Sequence, residues 1–490
     1  MSMDGTGHTA EFWDFNDLIW QDTSALNPNT ADWMPRGSSL STILHSCTAE
    51  SPNSNLSLSG LPLNLPSPAS STEAGHALVE NFLDSVAPPI LAAVEFGPRW
   101  TSTKMLFASL ASASDMVRYA IMAFSALQIG DQDPSTWHKH KLHYDKAAKS
   151  FTSYMNDVKQ ARNNPRLDLQ SPLATSFFLA YNALLTNRVD EAQSVLKEAA
   201  ALVHTSRTKN FTLSEKRLFS WVRLVDARAC LAGGEGAFLQ ETDSEAFSPD
   251  AHPKEELQLE ADVPTHSMDA QIEEVLFDVL HSPGLIFYQR VQSIMARVSK
   301  IDPWHRSRGT VADETEVMRI AEDIRQDLEQ LGGARPSLTD HAVSGRLSDR
   351  HLGWSIAVAI THSYRLYWAN YEAAFIHLHR VAHKHLPVTK EVLRARTTIK
   401  RIARLLQQDD DRPLPVNFIW PLLMACCEED ILDERKWMIG AIRSMQSGTS
   451  NAKPIADVLE EVHRRQDATG HRVDVRQTSV DLFNMSFAVF

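Results

Sequence analysis

The sequence predicts an all-α protein, and three observations carry that prediction. From about residue 75 onward, apolar residues recur at spacings of three and four, which is the period of an amphipathic helix. Proline and glycine fall between the apolar runs, where helices begin and end. Alternating β-branched runs, which would indicate strands, are almost absent. We therefore expect a large multi-helix body.

The helices can be placed along the chain in order. The apolar seam from Met105 to Leu127 predicts one or two helices, with a break at Ser112–Ser114. Pro172 opens a helix that runs through Leu185, because the first turn of a helix tolerates proline. This helix should form an αα-hairpin with the next one. Further helices are expected over 137–156, 189–204, 214–232, 267–282, 285–300, 312–331, 351–385, 389–407, 417–446 and 453–466.

Composition divides the chain into a folded body and two poorly packed segments. Residues 1–74 are acidic and then rich in Ser and Pro, a composition that cannot bury enough apolar surface to fold. Of the formal net charge of −13, residues 1–75 contribute −7. A second acidic stretch, about 235–265, interrupts the helical body at 75–490. We therefore predict a disordered N-terminal segment and a helical domain with an internal acidic linker.

Charge, cysteine content and hydropathy disfavour several classes of protein. The negative net charge disfavours sequence-independent binding of nucleic acid. Four cysteines in 490 residues exclude a disulfide-built secreted scaffold. No apolar run is long enough for a membrane span, and the first residues do not resemble a secretory signal. We expect an intracellular, reducing compartment and no membrane association.

Motifs typical of enzymes are missing from the sequence. It contains neither a phosphate-binding G-x-x-x-x-G-K-[ST] loop nor a G-x-S-x-G nucleophile motif. His379 and His383 are four residues apart, but we interpret the histidines here as lying on solvated helix faces, since a metal site needs more ligands. Cys426 and Cys427 are expected to be buried free thiols, and Asp409–Asp411 a solvated turn. We predict no catalytic residue, cofactor or metal.

An acidic, aromatic segment stands out near the N-terminus, with the sequence EFWDFNDLIWQD over residues 11–22. Its acidic residues repel one another and keep the bulky side chains solvated until a partner offers an apolar groove. This composition is typical of an acidic activation segment, although a tail that packs back on its own domain remains an alternative. The candidate partner-binding residues are Phe12, Trp13, Phe15, Leu18, Ile19 and Trp20.

Four stretches of the folded part resemble a known family in their order and spacing. These are ASASDMVRYAIMAFSALQI at 111–129, KRLFSWVRLVDARACLAGGEG at 216–236, PLPVNFIWPLLMACCEEDILDERKWMIGAIRSM at 413–445 and VLEEVHRRQDATGHRVDVRQ at 458–477. The set resembles the fungal-specific transcription factor domain, the helical regulatory region found downstream of a zinc binuclear cluster in many fungal regulators. The resemblance covers roughly residues 75–490.

The residues that carry the resemblance are interpreted as structural. The three tryptophans should be core anchors, since aromatic side chains bury large areas. Asp226 and Arg228 are candidates for ion pairs, and Pro421 for the start or a kink of a helix. The family-motif residues are Trp221, Asp226, Arg228, Trp420, Pro421, Arg435 and Trp437.

The sequence departs from the family pattern because no six-cysteine zinc module precedes the helical body. Three explanations remain: a truncated gene model, a regulator that acts through a DNA-binding partner, or a relative that has left transcription. Direct DNA binding is therefore not expected, and a basic helix is interpreted as a solvated face. That helix carries Arg394, Arg396, Lys400, Arg401 and Arg404.

The resemblance implies a nuclear transcription regulator that controls a metabolic or secondary-metabolite pathway through protein contacts. The expected partners are transcriptional co-regulators or a DNA-binding protein, a small-molecule effector held between helices, and a second copy of the chain as a candidate homodimer. Two alternatives stay open at this point. They are an all-α enzyme of a metabolic gene cluster and a helical interaction scaffold outside the nucleus.

Overall fold

The computed structural model describes residues 72–85, 87–96, 98–130, 136–160, 168–206, 211–239, 268–347, 350, 352–409, 413–486 and 488–489. Within these ranges the chain forms sixteen α-helices, one short 3-10 helix and no β-strand. The all-α prediction is confirmed. The helices are α1 (Thr72–Asp84), α2 (Pro98–Ala113), α3 (Asp115–Ile129), α4 (Thr136–Gln160), α5 (Gln170–Leu185), α6 (Val189–Thr205), α7 (Leu213–Leu231), α8 (Met268–Ser299), α9 (Val311–Gly333), α10 (Leu338–Ser344), α11 (Trp354–Ala382), α12 (Lys390–Asp409), α13 (Ile419–Cys427), α14 (Leu432–Ser444), α15 (Ala452–Thr469) and α16 (Val475–Phe483).

Helix α5 lies at the centre of the N-terminal helices. Every residue from Pro172 to Leu184 is buried, and the helix packs against α3, α6 and α7. Helix α6 is amphipathic and buries Leu196, Ala199 and Val203 on one face. The predicted αα-hairpin of α5 and α6 is confirmed, and so is the break between α2 and α3 at Ser114.

Helix α11 has the equivalent central place among the later helices. It packs against α8, α9, α10, α12 and α13. Tyr364, Tyr367, Tyr371 and Phe375 of this helix are buried, and Trp368 is half-buried. Tyr367 stacks on Tyr288 of α8 with ring centroids 4.7 Å apart. One main hydrophobic core extends from Leu78 of α1 to Val489 at the C-terminal end. No helix of the described ranges is long and apolar enough to cross a membrane.

Several predicted helix boundaries were wrong. Helix α8 continues through Pro283, where the sequence predicted a break. Its neighbour Gly284 packs against the ring of Tyr364, whose hydroxyl donates to the carbonyl oxygen of Leu280 at 2.8 Å. Tertiary contacts therefore outweigh the cost of proline inside a helix. The expected helix over 417–446 is divided into α13 and α14, and two short helices, α10 and α16, were missed.

Candidate functional site

A cavity of about 1040 Å³ lies among the C-terminal helices. Its walls come from the ends of α8 and α11, the loop that precedes α12, helices α13 and α15, and the segment 470–489 that contains α16. We call 470–489 the C-terminal segment. The cavity is at the upper end of the range that is usual for small-molecule sites. It is therefore the candidate functional site of the described residues.

One wall of the cavity is apolar. Helix α13 contributes Trp420, Leu423 and Met424, and helix α15 contributes Ile455 and Val458. All five side chains belong to the main core. Side chains that pack the core from one side and line the cavity from the other form a fixed apolar surface for a ligand.

Two polar side chains on this wall lack hydrogen-bond partners. Trp420 is 5% exposed, and its indole Nε1 has no partner among the described residues. His377 meets the ring of Trp420 edge to face at 5.0 Å, and its Nδ1 also has no partner. Burial lowers the pKa of His377 to about 4, so this imidazole is neutral at physiological pH. Buried polar groups usually find a partner, and a ligand is one way to supply it.

The cavity lining also holds a cluster of enclosed charges, which we call the C-terminal hub: Glu428, Arg380 and Arg472. Arg472 donates from Nη2 to Glu428 Oε2 at 2.8 Å and from Nε to Oε1 at 3.0 Å. Arg380 donates from Nη1 to Glu428 Oε1. All three side chains are at most 12% exposed. Two guanidinium groups therefore share one carboxylate.

The C-terminal hub also fixes the C-terminal segment to the end of α11. Arg380 of α11 donates from Nη2 to the carbonyl oxygen of Val473 at 2.7 Å. In the reverse direction, Arg472 donates from Nη1 to the carbonyl oxygen of Leu386 at 3.0 Å. Hydrogen bonds to charged groups are the stronger ones. This cavity wall is therefore held by several charge-assisted bonds.

Arg476 is a third arginine in the cavity wall. Its Nη2 donates to the carbonyl oxygen of Gly233 at 3.2 Å, and its guanidinium lies 4.5 Å from the ring centroid of Trp304. Its Nε and Nη1 are buried without a hydrogen-bond partner. Burial lowers the pKa of Arg476, while Asp302 and Asp474 act in the opposite direction. The guanidinium is thus close to acidic groups but under-satisfied in hydrogen bonds.

Glycine is required where Arg476 crosses the end of α7. Gly233 has a φ of +98°, a conformation that side-chain-bearing residues rarely adopt. A Cβ atom at this position would lie 1.8 Å from Nη2 of Arg476. Glycine is expected at the end of a helix such as α7. Here Gly233 also makes room for an arginine of the C-terminal segment.

A family model for the fungal specific transcription factor domain matches residues 78–485. The chain belongs to this family. No curated protein and no solved structure matches the sequence. The match includes both the N-terminal and the C-terminal helices and therefore the whole set of motifs on which the resemblance rested. The predicted domain bounds of 1–74 and 75–490 stay a prediction.

In this member of the family, the motif residues of the C-terminal half lie at the cavity or beside it. Trp420 and Arg435 line it, and Pro421 occupies the first turn of α13, where proline is tolerated. Arg435 donates from Nη1 to Asp467 at 2.9 Å. Trp437 is only half-buried and packs under the guanidinium of Arg404, 4.9 Å from the ring centroid.

The motif residues on α7 lie elsewhere in the fold. Trp221 is fully buried, and its Nε1 donates to Glu95 Oε1 at 2.8 Å. Glu95 also binds Arg99 and Arg217, at 3.3 and 2.8 Å, and we call these three charged residues the N-terminal hub. Burial opposes ionisation of Glu95, but the two arginines hold its pKa at about 2.

Asp226 and Arg228 do not form the ion pairs that the sequence suggested. Asp226 Oδ2 accepts the backbone N–H of Leu239 at 3.0 Å, and burial raises the pKa of this carboxyl to about 6. Arg228 donates from Nη2 to the hydroxyl of Tyr288 at 3.4 Å. Neither residue has a salt-bridge partner among the described residues. Through its hydrogen bond with Leu239, Asp226 instead holds the start of the acidic linker against α7.

The interpretation of the histidines as lying on solvated helix faces was wrong for three of them, one on α4 and two on α11. His140, His377 and His379 are buried, and His140 Nδ1 lies 3.0 Å from the carbonyl oxygen of Ala123. Helices α4 and α11 are tightly packed, so one face of each histidine-rich run turns inward. In the part of the chain that the structure describes, no group of three or more His, Cys, Asp or Glu could hold a metal ion.

The interpretation of the basic helix was also wrong in part. Lys400 donates to Glu429 at 2.6 Å, Arg396 donates to the carbonyl oxygen of Glu428, and Arg404 binds Glu434. These cations of α12 therefore pair with the acidic turn and the helix that follow α13. Cys426 and Cys427 are buried free thiols, as predicted.

Three predicted features lie wholly or largely outside the described residues. They are the N-terminal segment up to residue 71, which includes the candidate activation segment at 11–22, residues 240–265 of the acidic linker, and Asp410 and Asp411 of the expected turn. Sequence reasoning also missed the arginines of the cavity, although Arg472 and Arg476 are in the motif at 458–477. Their pairing with Glu428 and Gly233 joins segments far apart in the chain, and spacing alone gives no signal for such contacts.

Proposed function

We propose that this transcription regulator acts in the nucleus through protein contacts and responds to a small-molecule effector. The observation that carries the proposal is the family match over residues 78–485. The acidic, aromatic segment at 11–22 supports recruitment of co-regulators, because such segments bind apolar grooves as amphipathic helices. In this proposal DNA is reached through a DNA-binding partner, and the target genes belong to a metabolic or secondary-metabolite pathway.

The cavity supports the effector part of the proposal. Its volume, its apolar wall and its unpartnered Trp420 and His377 suit a small organic ligand. The C-terminal segment forms part of the wall, so ligand binding would change how firmly that segment is held. A ligand that binds one state of a segment more tightly shifts the population of that state. This gives a physical route from a metabolite to altered partner contacts.

The charges of the cavity favour regulation over catalysis. Acid–base catalysis needs a positioned carboxylate or imidazole with a pKa near the working pH. Here Glu428 is held by two arginines, and Glu429 is held by Lys400 at 2.6 Å and by Arg396 at 3.7 Å. Both carboxylates are therefore paired with cations, and neither is free to act as a general acid or base. The alternative of an all-α enzyme therefore receives no support from the cavity.

A tethering experiment tests the proposal. Residues 1–35 fused to an unrelated DNA-binding domain should activate a reporter gene. The triple variant Trp13→Ala, Phe15→Ala and Trp20→Ala should lose that activation, because it removes the bulky groups that enter a partner's groove. The matched control replaces Asn16 and Gln21 with Ala, which leaves the aromatic and acidic residues in place. Full reporter output from the triple variant, or none from the wild-type segment, would contradict this part of the proposal.

A further inference from the structure

We propose that the C-terminal cavity binds an amphipathic organic acid, with its carboxylate at the arginines of the C-terminal segment and its apolar body against α13 and α15. This inference rests on the effector part of the proposed function and names the chemical class of the effector. Three features of the cavity carry it: two enclosed arginines that share one carboxylate, an arginine with unused donors, and an apolar wall.

The C-terminal hub carries a net positive charge. Arg380 and Arg472 share the single carboxylate of Glu428, and all three side chains line the cavity. A buried charge without a counter-charge is costly, and carbonyl oxygens such as that of Val473 compensate only in part. A ligand carboxylate would bring the hub to neutrality.

The other carboxylates of the cavity are already engaged. Asp302 Oδ1 accepts from His305 Nδ1 at 2.8 Å, and Asp474 Oδ1 accepts the backbone N–H of Gln477 at 2.8 Å as the N-cap of α16. Asp467 is bound by Arg435. Glu429 is bound by Lys400, and Asp430 lies 3.5 Å from Arg396. Asp474 attracts Arg380 and Arg476, but no hydrogen bond or ion pair joins it to either arginine among the described residues. A ligand carboxylate would supply that direct partner.

Arg476 supplies donors for such an anion. Its Nε and Nη1 have no partner. The two groups lie on different edges of the guanidinium, because Nε shares its edge with Nη2, so each can donate a separate hydrogen bond to an oxygen of a ligand. Both nitrogens are enclosed, so the guanidinium must turn toward the cavity to receive the ligand. That turn gives up the 3.2 Å hydrogen bond to Gly233 and the contact with the ring of Trp304, whose centroid lies 4.5 Å from the guanidinium.

The apolar wall supplies the second half of the recognition. Leu423, Met424, Ile455 and Val458 present aliphatic surface, and Trp420 adds an indole. Each buried methylene of a ligand gains about 0.8 kcal/mol on such a surface. The ligand class is therefore an organic acid with an apolar body, rather than a sugar, a nucleotide or a free inorganic anion.

The test uses the full chain and a pair of matched probes, decanoate and decanol, titrated by calorimetry below their aggregation limits. The two have the same apolar body and differ in charge. We expect decanoate to bind about tenfold tighter or more, as bonds to charged groups allow. The net charge of −13 opposes non-specific attraction of anions, so a preference for the acid must come from a local site.

Two variants and one control locate the site. Arg476→Gln should abolish the preference for decanoate, whereas the exposed Arg464→Gln on α15 should keep it. Val388→Trp, at the half-exposed rim of the cavity, should weaken both probes because it fills the space without disturbing the core. Melting temperatures show whether each variant is folded. If Arg476→Gln does not fold, the comparison of decanoate with decanol on the wild-type chain still tests the preference for the acid, and Val388→Trp tests whether the cavity is the site.

The outcomes separate this inference from the proposed function. Preferential binding of decanoate that is lost in Arg476→Gln supports it. Equal affinities for acid and alcohol overturn the anionic class and leave an uncharged effector in place. Binding that survives both cavity variants places the acid elsewhere and overturns the inference. If neither probe binds, the cavity is not an effector site for this class, while the tethered reporter still tests the regulator itself.

Discussion

The N-terminal and C-terminal hubs have the same composition, one buried glutamate between two arginines, but different surroundings. In the N-terminal hub, Arg99 has a second acidic partner, Asp278, at 2.9 Å. Trp221 also donates to the glutamate. In the C-terminal hub, Glu428 is the acid that both arginines bind, and all three residues line the cavity.

The difference indicates what each hub is for. Charges that are balanced and lie between packed helices hold elements together, since removing one partner leaves an enclosed charge without a counter-charge. Charges that are unbalanced and border a cavity can still pair with an anion that enters the cavity. The N-terminal hub is therefore structural, and the C-terminal hub is the candidate for recognition.

Glu95→Gln is among the largest expected effects: it should lower the free energy of unfolding by about 3–5 kcal/mol, because Arg99 and Arg217, 12% and 17% exposed, lose their shared carboxylate. Its pKa of about 2 lies below the ordinary value of 4.5, so the stabilisation is present above pH 4.5 and is lost as the pH falls toward 2. Urea unfolding at pH 7 and pH 3 measures both. The exposed Glu80→Gln is the control.

The corresponding change in the other hub, Glu428→Gln, should cost less, roughly 1–3 kcal/mol. Here the freed arginines border a cavity that water and anions can enter, so the lost partner is replaced in part. Added salt or decanoate should recover stability in Glu428→Gln and should not do so in Glu95→Gln. Equal losses with equal recovery would remove the distinction between the hubs.

The tryptophans allow the same comparison without charge. Trp221→Ala should lower stability by about 3–5 kcal/mol, since the side chain is fully buried and Nε1 bonds Glu95. Trp420→Ala should fall at or below the lower end of that range, because Trp420 already borders a cavity and its Nε1 bonds nothing. Thermal unfolding of both variants measures the two losses of stability. A larger loss for Trp420→Ala would show that its wall is packed as tightly as the core.

The smallest effect has the opposite sign. The pKa of Asp226 is about 6, above its ordinary 3.8, so its contribution to stability is full below pH 3.8 and declines as the pH rises through 6. Asp226→Asn keeps an acceptor for Leu239 and removes the charge. It should raise stability by about 1–2 kcal/mol at pH 8 and change little at pH 4. A destabilised variant at pH 8 would indicate an unrecognised cationic partner.

Much of the fold could be predicted because helix period, proline and glycine are local signals. The break at Ser114 and the start of α5 near Pro172 follow from them. The continuous path through Pro283 could not be predicted, since it depends on Gly284 meeting Tyr364 from another helix. Boundaries failed where tertiary contacts overrode local preference.

The candidate site was predictable only in outline. The motif at 413–445 marked the right region, and Trp420 and Arg435 do line the cavity. The C-terminal hub joins Arg380, Glu428 and Arg472, which belong to three different segments of the chain. No helical period or sequence spacing links these segments. The burial of His377 and His379 was missed for the same reason. A sequence pattern shows which face of a helix is apolar, but not which neighbour covers the other faces.

Hydrogen exchange on the full chain, with and without decanoate, tests the central distinction most directly. We predict that decanoate slows exchange in the C-terminal segment and at the end of α11, where Arg380 and Arg472 meet, and leaves α2 and α7 around the N-terminal hub unchanged. Slowing confined to α2 and α7, or no slowing anywhere at saturating decanoate, would contradict the assignment of the two hubs.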